Sequence, residues 1–399
     1  MHIIVQKYGG SSVATIQKIK DVAKTVIKRK ELGDSIVVVV SAMGDSTDDL
    51  ITLAKQIMPC PDKRELDALI STGEIKSSAL LSMAIKSMGY DAVSYSAYQI
   101  GIKTSGQYGK SLIYDIDVDN IKKSLSQGKI VIVAGFQGIN EQGDITTLGR
   151  GGSDTTAVAL AVKLNGKSEI YTDVDGIYSV DPRVYKDAKK LDCIDYEEML
   201  ELSSLGAQVM HSRSIELGQK YNIPIYVGRS NSEIKGTVIR RVNDMNLESK
   251  PVTGIATNDD DVAITIQNIS SSTNLIPSIF EKVAVNRINI DMISQTAPVE
   301  GKVNLSFTIP KIDLQECLEI ISEFTSKDNI SIHEGITKFS IVGIGMKTTS
   351  GVAARLFKLF SENNIEVNMI TTSEIKITCA IKESDKVKAV NIAAKEFNL

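Results

Sequence analysis

The chain has 399 residues, which at about 150 residues per domain predicts two or three domains. Its formal net charge of −4 and the lack of a long basic run argue against a nucleic-acid partner, because phosphate backbones are bound mainly by clusters of Lys and Arg. The 4 cysteines and 3 histidines are widely separated, so they predict neither a disulfide framework nor a metal site built on His or Cys. The apolar run Ile36 to Val40 is too short to cross a bilayer, and we expect a cytoplasmic protein with free thiols.

Strand-like and helical segments alternate through the first part of the chain. The predicted strands are His2 to Gln6, Ile36 to Val40, Ala92 to Ser96, Ile130 to Ala134 and Glu169 to Val174. The predicted helices are Thr15 to Glu31, Asp48 to Met58, Lys63 to Ser87, Asn120 to Gln127 and a last one that ends at Leu164. This alternation favours an α/β fold in which helices cover both faces of a mostly parallel sheet.

In a parallel sheet, ligands bind beyond the carboxyl ends of the strands. We therefore expect the loops after Gln6, Val40, Ala134 and Thr172 to lie on one rim of the sheet.

An internal repeat begins after about Lys250. Ile288 to Gln295 matches Ile365 to Thr372 at an offset of 365 − 288 = 77 residues, which indicates two copies of one unit. The first copy contains the predicted segments Val262 to Gln267, Leu275 to Val285, Ile288 to Ile293, Lys302 to Ile309 and Leu314 to Phe324. Each copy favours a small βαββαβ domain. We expect domains at 1–245, 251–333 and 334–399, with a strand at 251–257 available to the last of them.

The stretch Gly149 to Asp154 reads Gly-Arg-Gly-Gly-Ser-Asp and precedes an apolar helical run. Its glycines let backbone N–H groups approach a ligand, and Ser153 is expected to cap the helix. A helix N-terminus attracts anions, and the Arg150 guanidinium suits a carboxylate or a phosphate. The stretch predicts a site for negative groups; a glycine-rich turn with an exposed arginine is the alternative.

Three further segments carry chemistry at predicted strand or helix ends. Lys7 to Ser12 (Lys-Tyr-Gly-Gly-Ser-Ser) can cradle phosphate oxygens, although it lacks the spacing of a Walker loop. Tyr171 to Tyr178, followed by Asp181 to Arg183, favours a nucleotide loop, with a solvated turn as the alternative. Glu74 begins a helix, where a glutamate by itself more often complements the helix dipole.

Five motifs occur together in the order seen in aspartate kinases. They are Lys7 to Ala14, Ser71 to Glu74, Ile145 to Asp154, Tyr171 to Tyr178 and Asp181 to Arg183. Over essentially its whole length the chain closely resembles a monofunctional member of that family. The repeat resembles the tandem ACT domains of these enzymes. The resemblance implies an amino-acid-kinase-type sheet sandwiched by helices, followed by two ACT-like regulatory domains.

The activity implied by the resemblance is ATP-dependent phosphorylation of the β-carboxylate of L-aspartate. The catalytic residues would be Lys7 and Asp154, with Lys7 stabilising the transferred phosphoryl group and Asp154 orienting Lys7. The substrate-binding residues would be Ser41, Thr47, Glu74, Arg150 and Ser153. The ATP-binding residues would be Lys7, Gly9, Gly10, Ser11, Thr172, Asp173, Tyr178 and Arg183. Mg²⁺ is expected on the nucleotide phosphates, without dedicated protein ligands.

The ACT resemblance implies feedback control by an end product, with lysine as the first choice of effector and threonine as the second. The effector-binding residues would be Asn274, Leu275, Asn289, Asp291 and Gln295. Pairing of ACT domains also implies a homodimer or homotetramer.

One departure from the family pattern concerns the nucleotide. Gln208 stands where the family commonly has a lysine, in the segment Gly206 to Ser212. Two other functions stay open at this point. One is a different amino-acid kinase, such as a glutamate kinase, and the other is a catalytically inactive amino-acid sensor.

Overall fold

The computed structural model describes residues 2–206, 209–242, 250–270 and 274–399. These residues form two compact units. The first contains residues 2–177, 190–203 and 209–242, and the second contains residues 178–189, 204–206, 250–270 and 274–399. In these ranges no helix is long and apolar enough to cross a membrane.

The first unit is built from short strands and helices that alternate along the chain. Its strands are β1 (Ile3–Tyr8), β2 (Ser35–Val40), β3 (Ala92–Tyr95), β4 (Ile102–Ser105), β5 (Leu112–Ile116), β6 (Ile130–Ala134), β7 (Gln137–Ile139), β8 (Ile145–Thr147), β9 (Lys167–Thr172), β10 (Cys193–Ile194), β11 (Ile225–Arg229) and β12 (Thr237–Ile239). Its helices are α1 (Ile16–Glu31), α2 (Ser46–Ile57), α3 (Lys63–Ile70), α4 (Thr72–Ser87), α5 (Asp119–Ser126), α6 (Gly152–Leu164), α7 (Tyr196–Ser204) and α8 (Ser212–Tyr221).

The main sheet of this unit has the strand order β10-β12-β11-β9-β1-β2-β6-β3. Its neighbouring strands are parallel except β11 and β12, which confirms the mostly parallel sheet expected from the sequence. All six residues of β2 are buried, as is typical of a strand that is covered on both faces. Helices α1 and α4 pack against Ile4, Ile36 and Val38, and α6 lies against β1, β2 and β9.

A second, smaller sheet in this unit was not predicted. It has the order β5-β4-β7-β8. These strands have three to five residues each, and β5 is largely exposed, so they lack the apolar runs that identify the longer strands.

Two local predictions in this unit were wrong. The single helix expected from Lys63 to Ser87 is interrupted at Ser71, whose hydroxyl donates to the Ala68 carbonyl and whose carbonyl accepts from Gln137 Nε2. Ser153 does not cap α6, because the helix already begins at Gly152 and its cap residue is Gly151 in the left-handed conformation. Ser153 therefore lies in the first turn of α6.

The second unit contains the repeated sequence. Its strands are β13 (Gly254–Asn258), β14 (Asp261–Ser270), β15 (Ile293–Gln295), β16 (Lys302–Pro310), β17 (Ile330–His333), β18 (Ile336–Val342), β19 (Val367–Thr372) and β20 (Lys376–Lys382). Its helices are α9 (Leu275–Val285), α10 (Leu314–Ser322), α11 (Val352–Glu362) and α12 (Lys386–Glu396). Helices α9 and α11 begin 352 − 275 = 77 residues apart, the offset of the sequence repeat.

Two four-stranded antiparallel sheets result, with the orders β15-β16-β14-β17 and β13-β18-β20-β19. The first has the predicted βαββαβ order along the chain, whereas the second takes β13 from before the repeat. The strand expected at Ile288 to Ile293 instead begins at Ile293. Before Ile293 the pairing with β16 is irregular, because Asp291 N donates to the Thr308 carbonyl and Met292 N donates to Thr308 Oγ1.

Residues 178–189 follow β9 in the chain but pack in the second unit. Val180 belongs to the apolar core formed with Phe339 and Leu356, and Val184 and Tyr185 pack against that core. Ser179 accepts a backbone hydrogen bond from Ile255 of β13. The segment that carries two of the expected ATP-binding residues, Tyr178 and Arg183, is therefore held by the second unit.

Candidate active site

A cavity of about 260 Å³ lies in the first unit, where the chain leaves β1, β2 and β6. Three of the four loops expected on one rim contribute to it; the loop after Thr172 does not. Its lining residues are Lys7, Gly10, Ser41, Ala42, Gly44, Thr47, Glu74, Phe136, Gly149, Arg150, Gly151, Gly152, Ser153 and Asp154. The cavity therefore brings together every residue predicted to be catalytic or to bind the substrate.

Lys7 and Asp154 form a buried ion pair at the base of the cavity. Lys7 lies near the end of the central strand β1 and Asp154 in the first turn of α6, and Nζ is 2.7 Å from Oδ1. Lys7 is 9% exposed and Asp154 is 7% exposed. A charge-assisted contact of this length fixes the ammonium in the cavity. Asp154 thus has the geometry of a residue that positions Lys7.

Glu74 contributes a buried carboxylate that is only half bonded. Oε1 accepts from Ala42 N at 3.1 Å, whereas Oε2 is buried without a hydrogen-bond partner among the described residues. Gly73 permits this arrangement, because a side chain there would meet Ala42 Cβ at 2.7 Å. Burial raises the pKa of Glu74 to about 7, against the lowering effect of two backbone N–H groups. An orphaned carboxylate oxygen of this kind suits a ligand ammonium.

The glycine stretch forms a tight turn between β8 and α6 that presents Arg150. Gly149 has φ +79° and Gly151 has φ +70°, conformations that a residue with Cβ rarely adopts. At Gly151 a side chain would also collide with His211. Arg150 is exposed, lines the cavity, and pairs with no carboxylate of the described residues. Its guanidinium is therefore available to a carboxylate ligand.

Ser41, Thr47 and Ser153 complete the predicted substrate set and add hydroxyl groups to the cavity wall. Phe136, which sequence reasoning missed, lines the cavity as well and has φ +70°. This conformation is uncommon for an aromatic residue. Its backbone is held on both sides, because its N–H donates to Thr156 Oγ1 and its carbonyl accepts from Leu148 N.

The expected phosphate cradle after β1 is a short 3₁₀ turn at Gly10–Val13. Gly10 lines the cavity, whereas Gly9 and Ser11 do not. The Gly9 N–H already donates to the Tyr171 carbonyl at 3.3 Å. Gly9 therefore has no free N–H for a phosphate, and its contribution would be the space that its missing side chain leaves.

The other expected ATP-binding residues lie apart from the lining of the cavity. Thr172 Oγ1 bonds to Val174 N, and the Asp173 carbonyl accepts from Arg229 Nε. Tyr178 and Arg183 belong to the second unit. Arg183 is paired with Asp181, with Nη2 and Oδ2 2.8 Å apart, and its side chain is 88% exposed. Their roles in binding ATP stay a prediction.

The expected effector-binding residues lie on two segments of the second unit. Asn274 and Leu275 are at the start of α9, and Leu275 packs against the apolar core of its sheet. Asn289, Asp291 and Gln295 lie on the exposed segment that ends in β15. Residues 271–273, directly before the expected effector residue Asn274, lie outside the described ranges, and so does Gln208 of the nucleotide prediction.

Asp291 has a neighbour that sequence reasoning did not find. Lys338 of β18 contacts the carboxylates of both Asp291 and Asp261, and only 4% of the Lys338 side chain is exposed. Hydrogen bonds to these two carboxylates keep the Lys338 pKa above its usual value even though burial lowers it. The three groups carry a net charge of −1, and 44% of the Asp291 side chain remains exposed.

Comparisons with known proteins agree with this arrangement. Residues 2–229 match the amino acid kinase family, and residues 339–397 match the ACT domain. The aspartokinase of Bacillus sp. (strain MGA3) is 45% identical over 403 residues, which cover 100% of this chain and 98% of that protein.

Solved structures show the same fold. The crystal structure of E. coli aspartokinase III in complex with aspartate and ADP aligns over 100% of both chains with a TM-score of 0.83 at 23% identity. The same enzyme in complex with lysine and aspartate aligns over 99% of both chains with a TM-score of 0.78 at 23% identity. The chain is 45% identical to an aspartokinase over its whole length, matches both family models and shares the aspartokinase fold. We conclude that this chain belongs to the aspartokinase family.

Proposed function

We propose that the cavity in the first unit binds L-aspartate and that its β-carboxylate is phosphorylated there by ATP, giving 4-phospho-L-aspartate and ADP. The observation that supports this best is the meeting of three charged groups, Lys7, Glu74 and Arg150, around one cavity. Glu74 and Arg150 match the α-ammonium and the α-carboxylate of aspartate, which leaves Lys7 for the charge that develops where the β-carboxylate meets the phosphoryl group. Aspartate-dependent release of ADP tests the reaction; binding of aspartate without ADP release would leave only a sensor.

The proposed roles follow from the charges of the substrate. Arg150 binds the α-carboxylate, and Glu74 Oε2, which has no partner among the described residues, accepts a hydrogen bond from the α-ammonium. The β-carboxylate, with a pKa of about 4, is already ionised at neutral pH and needs no general base. One of its oxygens attacks the γ-phosphorus while the bond to the β,γ-bridging oxygen breaks. Lys7, held by Asp154, stabilises the negative charge on the transferred group.

ATP is the phosphoryl donor in this proposal, and Mg²⁺ bound to its phosphates would neutralise part of their charge. In the described ranges no group of three or more His, Cys, Asp or Glu side chains is arranged to hold a metal ion. In this proposal the Lys7 ammonium faces the phosphates, and Asp154, the carboxylate beside it, is engaged by that ammonium. These residues therefore fit a metal ion carried mainly by the phosphates and water.

Glu74 makes aspartate binding depend on pH. Its pKa in the folded protein is raised from 4.5 to about 7. Below pH 7 the Glu74 side chain of the free enzyme is therefore mostly neutral, and the α-ammonium of aspartate loses its carboxylate partner. We expect the KM for aspartate to rise about tenfold per pH unit between pH 7 and pH 5.5, and Glu74→Gln to raise the KM and flatten this profile. Initial rates from pH 5.5 to 8.5 measure both.

The same shift predicts a change in stability. The pKa of Glu74 is higher in the folded protein than in the unfolded chain. Protonated Glu74 therefore adds to the free energy of unfolding in full below about pH 4.5, and this contribution is lost as the pH rises through about 7. Glu74→Gln should therefore stabilise the protein at pH 8 by on the order of 3 kcal/mol, with little effect at pH 4.5. Glu141→Gln, at an exposed position, is the control, and an equal profile for both variants would refute the role of burial.

We further propose that lysine inhibits the enzyme through the second unit, with threonine as the alternative effector. Lysine is bound together with aspartate in a structure of E. coli aspartokinase III, and two features of this chain support an effector site in the second unit. The cluster of Asp261, Asp291 and Lys338 has a net charge of −1, so a second ammonium would neutralise it. Residues 178–189, with Tyr178 and Arg183, pack in the unit that would bind the effector.

Saturating lysine should lower the rate of ADP release and stabilise the protein. At a hundredfold excess over its dissociation constant a ligand adds about 2.7 kcal/mol to the free energy of unfolding. Asp291→Ala should remove both effects, whereas Asp328→Ala, at an exposed position in the same half of the unit, should keep them. If lysine changes neither quantity and threonine changes both, the effector is threonine.

A homodimer or homotetramer is proposed from the edges of the two small sheets. All three residues of β15 are exposed at one edge, and Ile370 of the edge strand β19 is 44% exposed. Edge strands with unpaired backbone groups favour pairing with another chain.

For the domain limits we propose 1–245 for the kinase domain and 251–333 and 334–399 for the two ACT-like domains, with β13 joining the last. The family matches at 2–229 and 339–397 and the pairing of β13 with β18 support these limits.

A further inference from the structure

Two buried or half-buried charged residues hold the base of the Arg150 turn, and neither of them lines the cavity. Asp67 lies on α3 and is 2% exposed, and Arg213 lies in the first turn of α8. They are 213 − 67 = 146 residues apart in the sequence. Both bind the same two chain segments, residues 109–111 and residues 147–148.

Asp67 accepts the donors of these segments. Its Oδ2 accepts from Gly109 N at 2.8 Å and from Thr147 N at 2.8 Å, and its Oδ1 accepts from Thr147 Oγ1 at 2.8 Å. These bonds account for the burial of a carboxylate, whose pKa is nevertheless raised by burial.

Arg213 binds the acceptors of the same segments. Its Nη1 donates to the Leu148 carbonyl at 2.6 Å, and its Nη2 donates to the Ser111 carbonyl at 3.0 Å. The two segments also meet directly, since Ser111 N donates to the Thr147 carbonyl at 3.0 Å. The two nitrogens of one rigid guanidinium thus fix the distance between the segments.

The next residues in the chain are those of the Arg150 turn. Gly149 lies so close to the 109–111 segment that a side chain there would meet the Gly109 carbonyl oxygen at 2.8 Å. The position of Arg150 therefore depends on where residues 109–111 and 147–148 are held. A cluster of this kind could be purely structural, but its bonds end on the residue directly before Gly149.

We propose that Asp67 and Arg213 are positioning residues that set the affinity for aspartate by holding the Arg150 turn. The proposal rests on the proposed function, in which Arg150 binds the α-carboxylate. Removing the charged side chain of Asp67 or of Arg213 would let the Arg150 turn shift relative to Glu74 and Lys7. A displacement of about 1 Å in a substrate-positioning group can cost about 100-fold.

The test compares Arg213→Met with Arg213→Lys and Asp67→Leu in steady-state assays on the full chain. We expect Arg213→Met to raise the KM for aspartate about 10- to 100-fold, with the KM for ATP changed less than about twofold. Arg213→Lys can reach only one carbonyl and should recover part of the loss. Asp67→Leu should act as Arg213→Met does, because it removes the oxygens that accept from Gly109 N, Thr147 N and Thr147 Oγ1. Lys63→Met, at an exposed position of the same helix as Asp67, is the matched control and should leave the KM unchanged.

A double variant separates positioning from general stability. If Arg213 acts through Arg150, then Arg213→Met added to Arg150→Ala should raise the KM no further, a strong departure from additivity. A lower melting temperature with an unchanged aspartate KM in Arg213→Met and Asp67→Leu would overturn the proposal. If Arg213→Met does not fold, Arg213→Lys decides by the same criteria. An unchanged KM in Arg150→Ala itself would instead contradict the proposed function.

Discussion

Replacing Lys7 by alanine should lower kcat by about 10²- to 10³-fold and leave the KM for aspartate nearly unchanged. The reason is that a preorganised cation aimed at developing charge is worth most in the transition state, and one such donor typically contributes this much. Lys7 is well suited to this role, because it is buried in the cavity and its ammonium is fixed 2.7 Å from Asp154. Initial rates over a range of aspartate concentrations separate kcat from KM.

The variant needs a control because it leaves a charge behind. Without Lys7, Asp154 becomes a buried carboxylate without its cation, and breaking such a pair commonly destabilises a protein by about 3–5 kcal/mol. The double variant Lys7→Ala with Asp154→Asn removes both charges and should regain stability but not kcat. A raised KM with an unchanged kcat would show that Lys7 binds the substrate and does not act on the transferred group.

Arg150→Ala should give the opposite pattern, with the KM for aspartate raised about 10- to 100-fold and kcat changed only a few-fold. A hydrogen bond between charged groups is worth about 1.5–3 kcal/mol. Arg150 pairs with no carboxylate of the described residues, so the ligand does not have to replace an existing ion pair and the full loss should appear in the KM. Arg150→Lys should recover only part of the loss, since an ammonium cannot make the two parallel bonds of a guanidinium.

The substrate itself supplies the control for Arg150. β-Alanine has the reacting carboxylate and the amine of aspartate but lacks the α-carboxylate. If Arg150 binds that group, Arg150→Ala should impair the reaction with aspartate and leave the weaker reaction with β-alanine unchanged. An equal loss with both substrates would place Arg150 on the phosphate and not on the amino acid.

The parts of the site that the sequence could predict are those in which one short segment carries both the fold and the chemistry. Lys7 lies near the end of a central strand, Glu74 lies in the first turn of a helix, and Arg150 lies between glycines that have positive φ. Once the parallel sheet was predicted, the rule that ligands bind at the carboxyl ends of strands placed the loops after Gln6, Val40, Ala134 and Thr172 on one rim, but it did not place Glu74 or Arg150 there. The cavity confirms this for the loops after β1, β2 and β6.

The parts that could not be predicted depend on contacts between distant segments. Asp67 and Arg213 are ordinary charged residues of their helices until the fold brings residues 109–111 and 147–148 between them. Lys338 is likewise one lysine in an apolar strand, and only the pairing of the two repeats places it against Asp261 and Asp291. The prediction that Ser153 caps α6 failed for a local reason. The cap residue is Gly151 in the left-handed conformation, so the helix begins at Gly152, before Ser153.

The most direct test of the central claim, that this cavity binds aspartate and directs its β-carboxylate to ATP, is to trap the product. An acyl phosphate reacts with hydroxylamine to give a hydroxamate, so the protein is incubated with ATP, Mg²⁺, hydroxylamine and either L-aspartate or L-glutamate. We expect hydroxamate to accumulate with aspartate and to stay near background with glutamate, and Arg150→Ala to need far more aspartate for the same yield. Hydroxamate from glutamate but not from aspartate would contradict the claim.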